Sequence, residues 1–149
     1  MYKHILVPTD GSRLSLKAVK EAAGVARTCK AKVTALYVIE PYLPRMPEES
    51  LIPVSLARDQ AEYKKVSEKV AGAALAKVQK ALAAAKVKCA VEFVTDSMPW
   101  HGILEAARKR KCDLIVMASH GRGGLAGVIL GSETHKVLAH SKTPVLVCR

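Results

Sequence analysis

Short apolar runs bounded by turn-forming residues alternate along this chain with longer segments in which apolar residues recur every three or four positions. The first pattern is that of buried strands and the second that of amphipathic helices. His4-Ile-Leu-Val-Pro8 is the first run, and it stops at Thr9-Asp10-Gly11-Ser12, a turn cluster that doubles as a helix start. Behind it Leu16, Val19, Ala22, Ala23 and Ala26 share one helical face. Residues 31–39, rich in β-branched and apolar side chains, read as a second strand. Pro41, Pro44, Pro47 and Pro53 then exclude a helix or central strand over 40–53 and predict a loop or lid. A long amphipathic helix is expected from 54 to about 85, with Val66, Val70, Ala73, Ala74, Val78 and Leu82 among its apolar positions and lysines elsewhere. Its place between two strands assigns it to a sheet rather than to a membrane surface. Residues 88–95 form strand three. Pro99 opens a third helix through Ile103, Leu104 and Ala107 to the basic run ending at Lys111. Strand four covers 113–118, a short helix 133–139 and strand five 144–148.

Five strands separated by helices predict an α/β fold: an open parallel sheet covered on both faces and joined by right-handed crossovers. Ligands in such sheets bind beyond the carboxyl ends of the strands, where the strand order reverses. The turn 8–12 and the loop 118–131 both follow strands directly. If strands one and four are neighbours, Asp10 and that loop share one crevice.

The loop carries the most specific chemistry in the chain. Four apolar residues, Leu114 to Met117, break into a stretch holding Gly121, Gly123, Gly124, Gly127 and Gly131, through which backbone can approach a ligand closely. Ser132 suits a helix N-cap, whose neighbouring N–H groups and dipole favour an anion. The whole reads as a phosphate cradle. Gly121-Arg-Gly-Gly-Leu-Ala126 fits the dinucleotide pattern G-x-G-x-x-A only weakly, because it follows the fourth strand and no acidic residue lies about twenty positions on. No glycine-lysine-serine or glycine-lysine-threonine step occurs, which excludes a Walker A loop. Ser119 lacks the G-x-S-x-G context of a hydrolase elbow. Asp10 has two readings, a ligand for hydroxyl or amine groups and a shaper of the turn before the first helix. His120 is placed either to bond a ligand or to order the loop. The other histidines, His4, His101, His135 and His140, show no metal-ligand spacing. Trp100 and Met98 read as packing residues.

Composition narrows the class. A chain of 149 residues, half of them hydrophobic, suits a single domain spanning 1–149 with one core. The net charge of +11 raises nucleic acid and anionic membranes as partners, but the lysines and arginines are scattered and aromatics make up only 4%. A solvated basic surface is expected instead. Cys29, Cys89, Cys112 and Cys148 form no C-x-x-C pair. With no signal-like leader and no apolar run of membrane length, a cytosolic protein with reduced thiols is expected.

Several stretches together carry a resemblance: Ile5-Leu-Val-Pro-Thr-Asp-Gly-Ser12, Leu36-Tyr-Val-Ile39, Asp113-Leu-Ile-Val-Met-Ala-Ser-His-Gly-Arg-Gly-Gly124, Leu130-Gly-Ser132 and Thr143-Pro-Val-Leu-Val147. Over essentially its whole length the chain resembles the universal stress proteins of the UspA family. That resemblance implies a Rossmann-like sheet of the adenine nucleotide alpha hydrolase type, strand order 3-2-1-4-5, and a homodimer formed through 143–148. It implies a cytosolic stress-response protein that binds ATP or AMP, with or without Mg2+. Nucleotide-binding members carry G-x2-G-x9-G-(S/T), matched here by Gly121, Gly131 and Ser132, whereas the first position is Ala118. A methyl group there stands to crowd a ribose or phosphate. By the same resemblance Asp10 lies beside the adenosine moiety, Val38 touches adenine through its backbone, and Gly121, Gly131 and Ser132 hold phosphates. Pro8, Thr9, Met117, Ala118, His120 and Glu133 complete the candidate set, with Arg122 as a secondary member. Two alternatives stay open: a nucleotide-free dimeric interaction module, and a slow ATPase or autophosphorylating protein, for which no general base is evident.

Overall fold

The computed structural model describes residues 1–43, 56–121 and 130–149. Most of the proline-rich segment and the middle of the glycine loop, Arg122 included, lie outside the described residues. The chain runs β1 (His4–Pro8), α1 (Arg13–Cys29), β2 (Lys32–Ile39), α2 (Leu56–Ala84), β3 (Cys89–Thr95), α3 (Pro99–Lys109), β4 (Leu114–Ala118), α4 (Ser132–His140) and β5 (Val145–Cys148). Each expected strand and helix is present, with ends displaced by one or two residues. All four strand pairings are parallel, and the order is β3-β2-β1-β4-β5.

Alternation along the strands divides the core into two layers. Ile5, Val7, Val33, Ala35, Leu114 and Val116 face α1 and α2, while Leu6, Leu36, Ile115 and Met117 face Ile103, Ala106 and Ala107 of α3 and Val137 of α4. The central strands are covered on both sides, which is why they read as unbroken apolar runs.

Two polar devices set the ends of these elements. The Asp113 carboxylate accepts the backbone N–H of Lys3 at 2.8 Å and of His4 at 3.0 Å, fixing β1 beside β4. Burial pushes that carboxyl up, but the two N–H groups outweigh it and hold it below its ordinary value. The first three helices end on lysines in left-handed conformation, Lys30, Lys86 and Lys111, with φ of 55°, 59° and 54°. The following residues, Ala31, Val87 and Cys112, donate back to Ala26, Leu82 and Ala107, so each terminus is a Schellman motif built without glycine. Among the described residues no helix is long and apolar enough to cross a membrane.

Candidate functional site

Because the chain leaves β1 towards β2 on one side and enters β4 on the other, the order reverses between β1 and β4, which pair directly. A cavity of about 550 Å³ opens at the carboxyl ends of these strands, a volume suited to a small organic ligand. Pro8, Thr9, Asp10, Val38, Met117, Ala118, His120, Gly121, Gly131, Ser132 and Glu133 all line it. The structure therefore brings together every candidate residue except Arg122, which is outside the described residues. Sequence reasoning missed Tyr37, Glu40, Ser15, Pro99 and Ile103 in the same wall. Tyr37 adjoins Val38 in the strand-end signature; the others carry no local motif.

On the β1 side the turn is held by a directional chain of hydrogen bonds. The Ser15 hydroxyl donates to the Ser12 carbonyl at 2.8 Å, so the Thr9 hydroxyl must donate to Ser15 Oγ at 2.9 Å while accepting the Gly11 N–H. Ser12 caps α1, accepting the Ser15 N–H. Asp10 Oδ1 accepts the Ser12 N–H at 2.9 Å. The turn-shaping reading of Asp10 is thus observed, and the residue also lines the cavity.

The β4 side closes onto that carboxylate. A Cβ built on Gly121 would stand 2.7 Å from Asp10 Oδ2, so glycine is what allows the loop to lie directly against Asp10. A Cβ on Gly131 would stand 3.1 Å from the Ser119 carbonyl, the same oxygen that accepts the Gly131 N–H at 2.7 Å. Ser119 Oγ bonds His120 Nδ1 at 2.8 Å, orienting that imidazole at the cavity wall. Ala118 is 7% exposed and belongs to the core layer under α1 and α2, while its carbonyl accepts the Thr134 hydroxyl at 3.0 Å. Ala118 thus belongs both to the core layer and to the lining of the cavity.

One expectation needs correction. Ser132 is the first helical residue of α4 rather than its cap; Gly131 takes the cap position with extended backbone, φ −71° and ψ 154°. The Gly131–Ser119 bond fixes that conformation. No side chain caps α4, and the N–H groups of Ser132, Glu133 and Thr134 have no acceptor among the described residues. The contrast with the other helices is informative: Ser12 caps α1, and the Glu133 carboxylate reaches across to accept the Trp100 N–H at 2.8 Å in the first turn of α3. Lys136 pairs with the other oxygen of Glu133.

The far wall depends on a close approach of α3. A Cβ on Gly102 would stand 3.2 and 3.3 Å from the two γ-methyl groups of Val38 and 3.2 Å from Asp96 Cβ. Asp96 itself takes the His101 ring at 2.7 Å and the Met98 N–H at 2.9 Å, and these bonds hold its carboxyl below the ordinary value. Trp100 packs against the core and stacks on His140 at 4.8 Å. Met98 does not pack: it is 46% exposed, because it precedes the helix that buries its neighbours.

Comparison with known proteins follows the same outline. The model of the universal stress protein family matches residues 1–149. The chain belongs to that family. Universal stress protein MJ0531 of Methanocaldococcus jannaschii is 37% identical over 153 residues, spanning 100% of this chain and 83% of that protein. Among solved structures, the universal stress protein UspA from Lactobacillus plantarum has a TM-score of 0.84 at 29% identity, with 99% of this chain and 98% of that one covered. A universal stress protein crystallised in complex with cAMP has a TM-score of 0.72 at 29% identity, with 99% and 97% covered. The family fold and the observed strand order agree.

Proposed function

We propose that this universal stress protein, as one domain in the cytosol, binds an adenine nucleotide at the β1–β4 switch point and acts in the stress response through conformation or partners. The observation that carries the reading is the uncapped start of α4. Its Ser132, Glu133 and Thr134 N–H groups have no acceptor among the described residues, and these residues line the same cavity as Asp10. Helix N-termini of this kind take phosphate oxygens, and a carboxylate accepts from ribose hydroxyls or an exocyclic amine. The cavity of about 550 Å³ has room for a small organic ligand, and Gly121, Gly131 and Ala118 all line it. The similar protein crystallised with cAMP supports the choice of adenine nucleotide.

Asp10, Glu40 and Glu133 give the described lining an acidic balance, so main-chain N–H groups, not side-chain cations, are the anion donors there. Mg2+ would offset that balance for a polyphosphate. A homodimer through 143–148 completes the proposal: β5 is an edge strand, and Leu146 on it is 40% exposed. Calorimetric titration with AMP and ATP, with and without Mg2+, tests the reading. Saturable one-site binding is expected, and none at millimolar nucleotide would overturn it.

A further inference from the structure

The long helix α2 is only half used by the fold. It has 29 residues against 8 in β2, about 43 Å against about 26 Å, so it overshoots the sheet it covers. Its buried residues, Ala71, Ala74, Leu75, Val78 and Leu82, all lie in the second part, and no residue from 58 to 70 is buried. Apolar groups nevertheless continue outward: Val66 is 50% exposed and Val70 is 40% exposed, one helical turn apart. They belong to a regular series, Asp59, Tyr63, Val66, Val70, Ala73 and Lys77, with spacings of four, three, four, three and four. That is the repeat of a two-stranded helical seam. Ala73 and Lys77 are exposed, whereas Asp59 and Tyr63 are partly covered. Neither Asp59 nor Lys77 has an ion pair among the described residues.

We infer that this seam is an interface with a second copy of the chain, the two α2 helices packing antiparallel about a twofold axis between Val66 and Val70. In that register the series is complementary to itself. Val66 faces Val70, the large Tyr63 faces the small Ala73, and Asp59 faces Lys77, each pair occurring twice. A parallel arrangement would instead oppose Asp59 to Asp59, Lys77 to Lys77 and Tyr63 to Tyr63. Tyr63 is held at the inner edge of the seam by its own chain: its hydroxyl donates to the Glu40 carbonyl at 2.8 Å and its ring meets Tyr42 at 5.3 Å. The seam spans about 27 Å from Asp59 to Lys77, and Lys69 on its flank meets its own counterpart. Each copy also carries a net charge of +11, so long-range repulsion makes the association weakest at low ionic strength. The inference is independent of nucleotide and of the β5 edge.

Sedimentation equilibrium of the full chain, over a series reaching millimolar protein at moderate salt, tests it. Val66→Glu with Val70→Glu is expected to halve the mass reached by the wild type at the top of the series. Asp59→Lys alone and Lys77→Asp alone each oppose like charges twice and should weaken association roughly tenfold. Asp59→Lys with Lys77→Asp should restore it. Far-UV circular dichroism verifies that each variant is folded. A wild type whose mass matches the double glutamate variant throughout, or a folded charge swap that fails to restore association, overturns the interface.

Discussion

Replacing Gly121 with alanine adds one methyl group where the loop lies on Asp10. The added Cβ would be 2.7 Å from Asp10 Oδ2. An ordinary carbon–oxygen separation is roughly 3.4 Å, so about 0.7 Å must be found. Backbone strain is not the cause, since Gly11 is the only glycine among the described residues with positive φ. A carboxylate that yields by rotating turns away from the Ser12 N–H, which its other oxygen accepts at 2.9 Å. A hydrogen bond to a charged group contributes about 1.5–3 kcal/mol when fully buried, and Asp10 is partly solvated, so a loss of about 1 kcal/mol is expected. That corresponds to a fall in Tm of about 2–4 °C. Nucleotide affinity should fall on the order of tenfold, because both the carboxylate and the facing loop move. Thermal melts and calorimetric titration read the two effects separately. In an Asp10→Ala background the same methyl loses its only close neighbour among the described residues, and its added effect should shrink to below about 0.5 kcal/mol. An unchanged Tm and affinity for Gly121→Ala, or an equal effect in both backgrounds, would refute the contact as the reason for glycine at 121.

Three further outcomes follow from particular contacts. Burial first, and the Lys32 charge second, hold the His4 imidazole below its ordinary value of 6.5 while its Nε2 bonds Thr34 Oγ1 at 2.8 Å. The unfolded chain therefore takes up this proton first, and the stability it contributes is full above 6.5 and is lost as pH falls from there towards the native value. Urea unfolding at about pH 7.5 and about pH 5.5 should show a larger loss for the wild type than for His4→Asn, and equal losses would contradict this assignment. Glu133→Ala removes the acceptor of the Trp100 N–H and should lower stability by about 1 kcal/mol, with Glu133→Gln milder; an unchanged melt would mean that α3 does not need this cap. Gly102→Ala presses on Val38 and should weaken nucleotide binding, with Val38→Ala in the same chain relieving the defect; absence of relief would place the clash elsewhere.

The frame was readable because β1 and β4 are covered on both faces and the helices on one, so burial left its period in the residues. The adjacency of β1 and β4 was not readable from spacing, since parallel neighbours are joined by crossovers of any order; it came only through family resemblance. Helix ends escaped for a chemical reason: Lys30, Lys86 and Lys111 occupy left-handed positions usually given to glycine. The Glu133–Trp100 cap joins residues 33 positions apart, and no local pattern marks it. Ser132 was misplaced by one residue because a serine before a helix resembles a cap, whereas the Ser119 carbonyl fixes Gly131 in that role.

The central claim is that phosphate enters at the open start of α4 opposite Asp10. Amide chemical-shift mapping of the labelled protein during titration with AMP and ATP measures this directly. The account predicts saturable shifts concentrated at Gly131, Ser132, Glu133 and Thr134, with Gly121, Asp10 and Val38 moving at the same midpoint. Shifts spread over the exposed lysines without saturation, or none at the α4 amides, would contradict it.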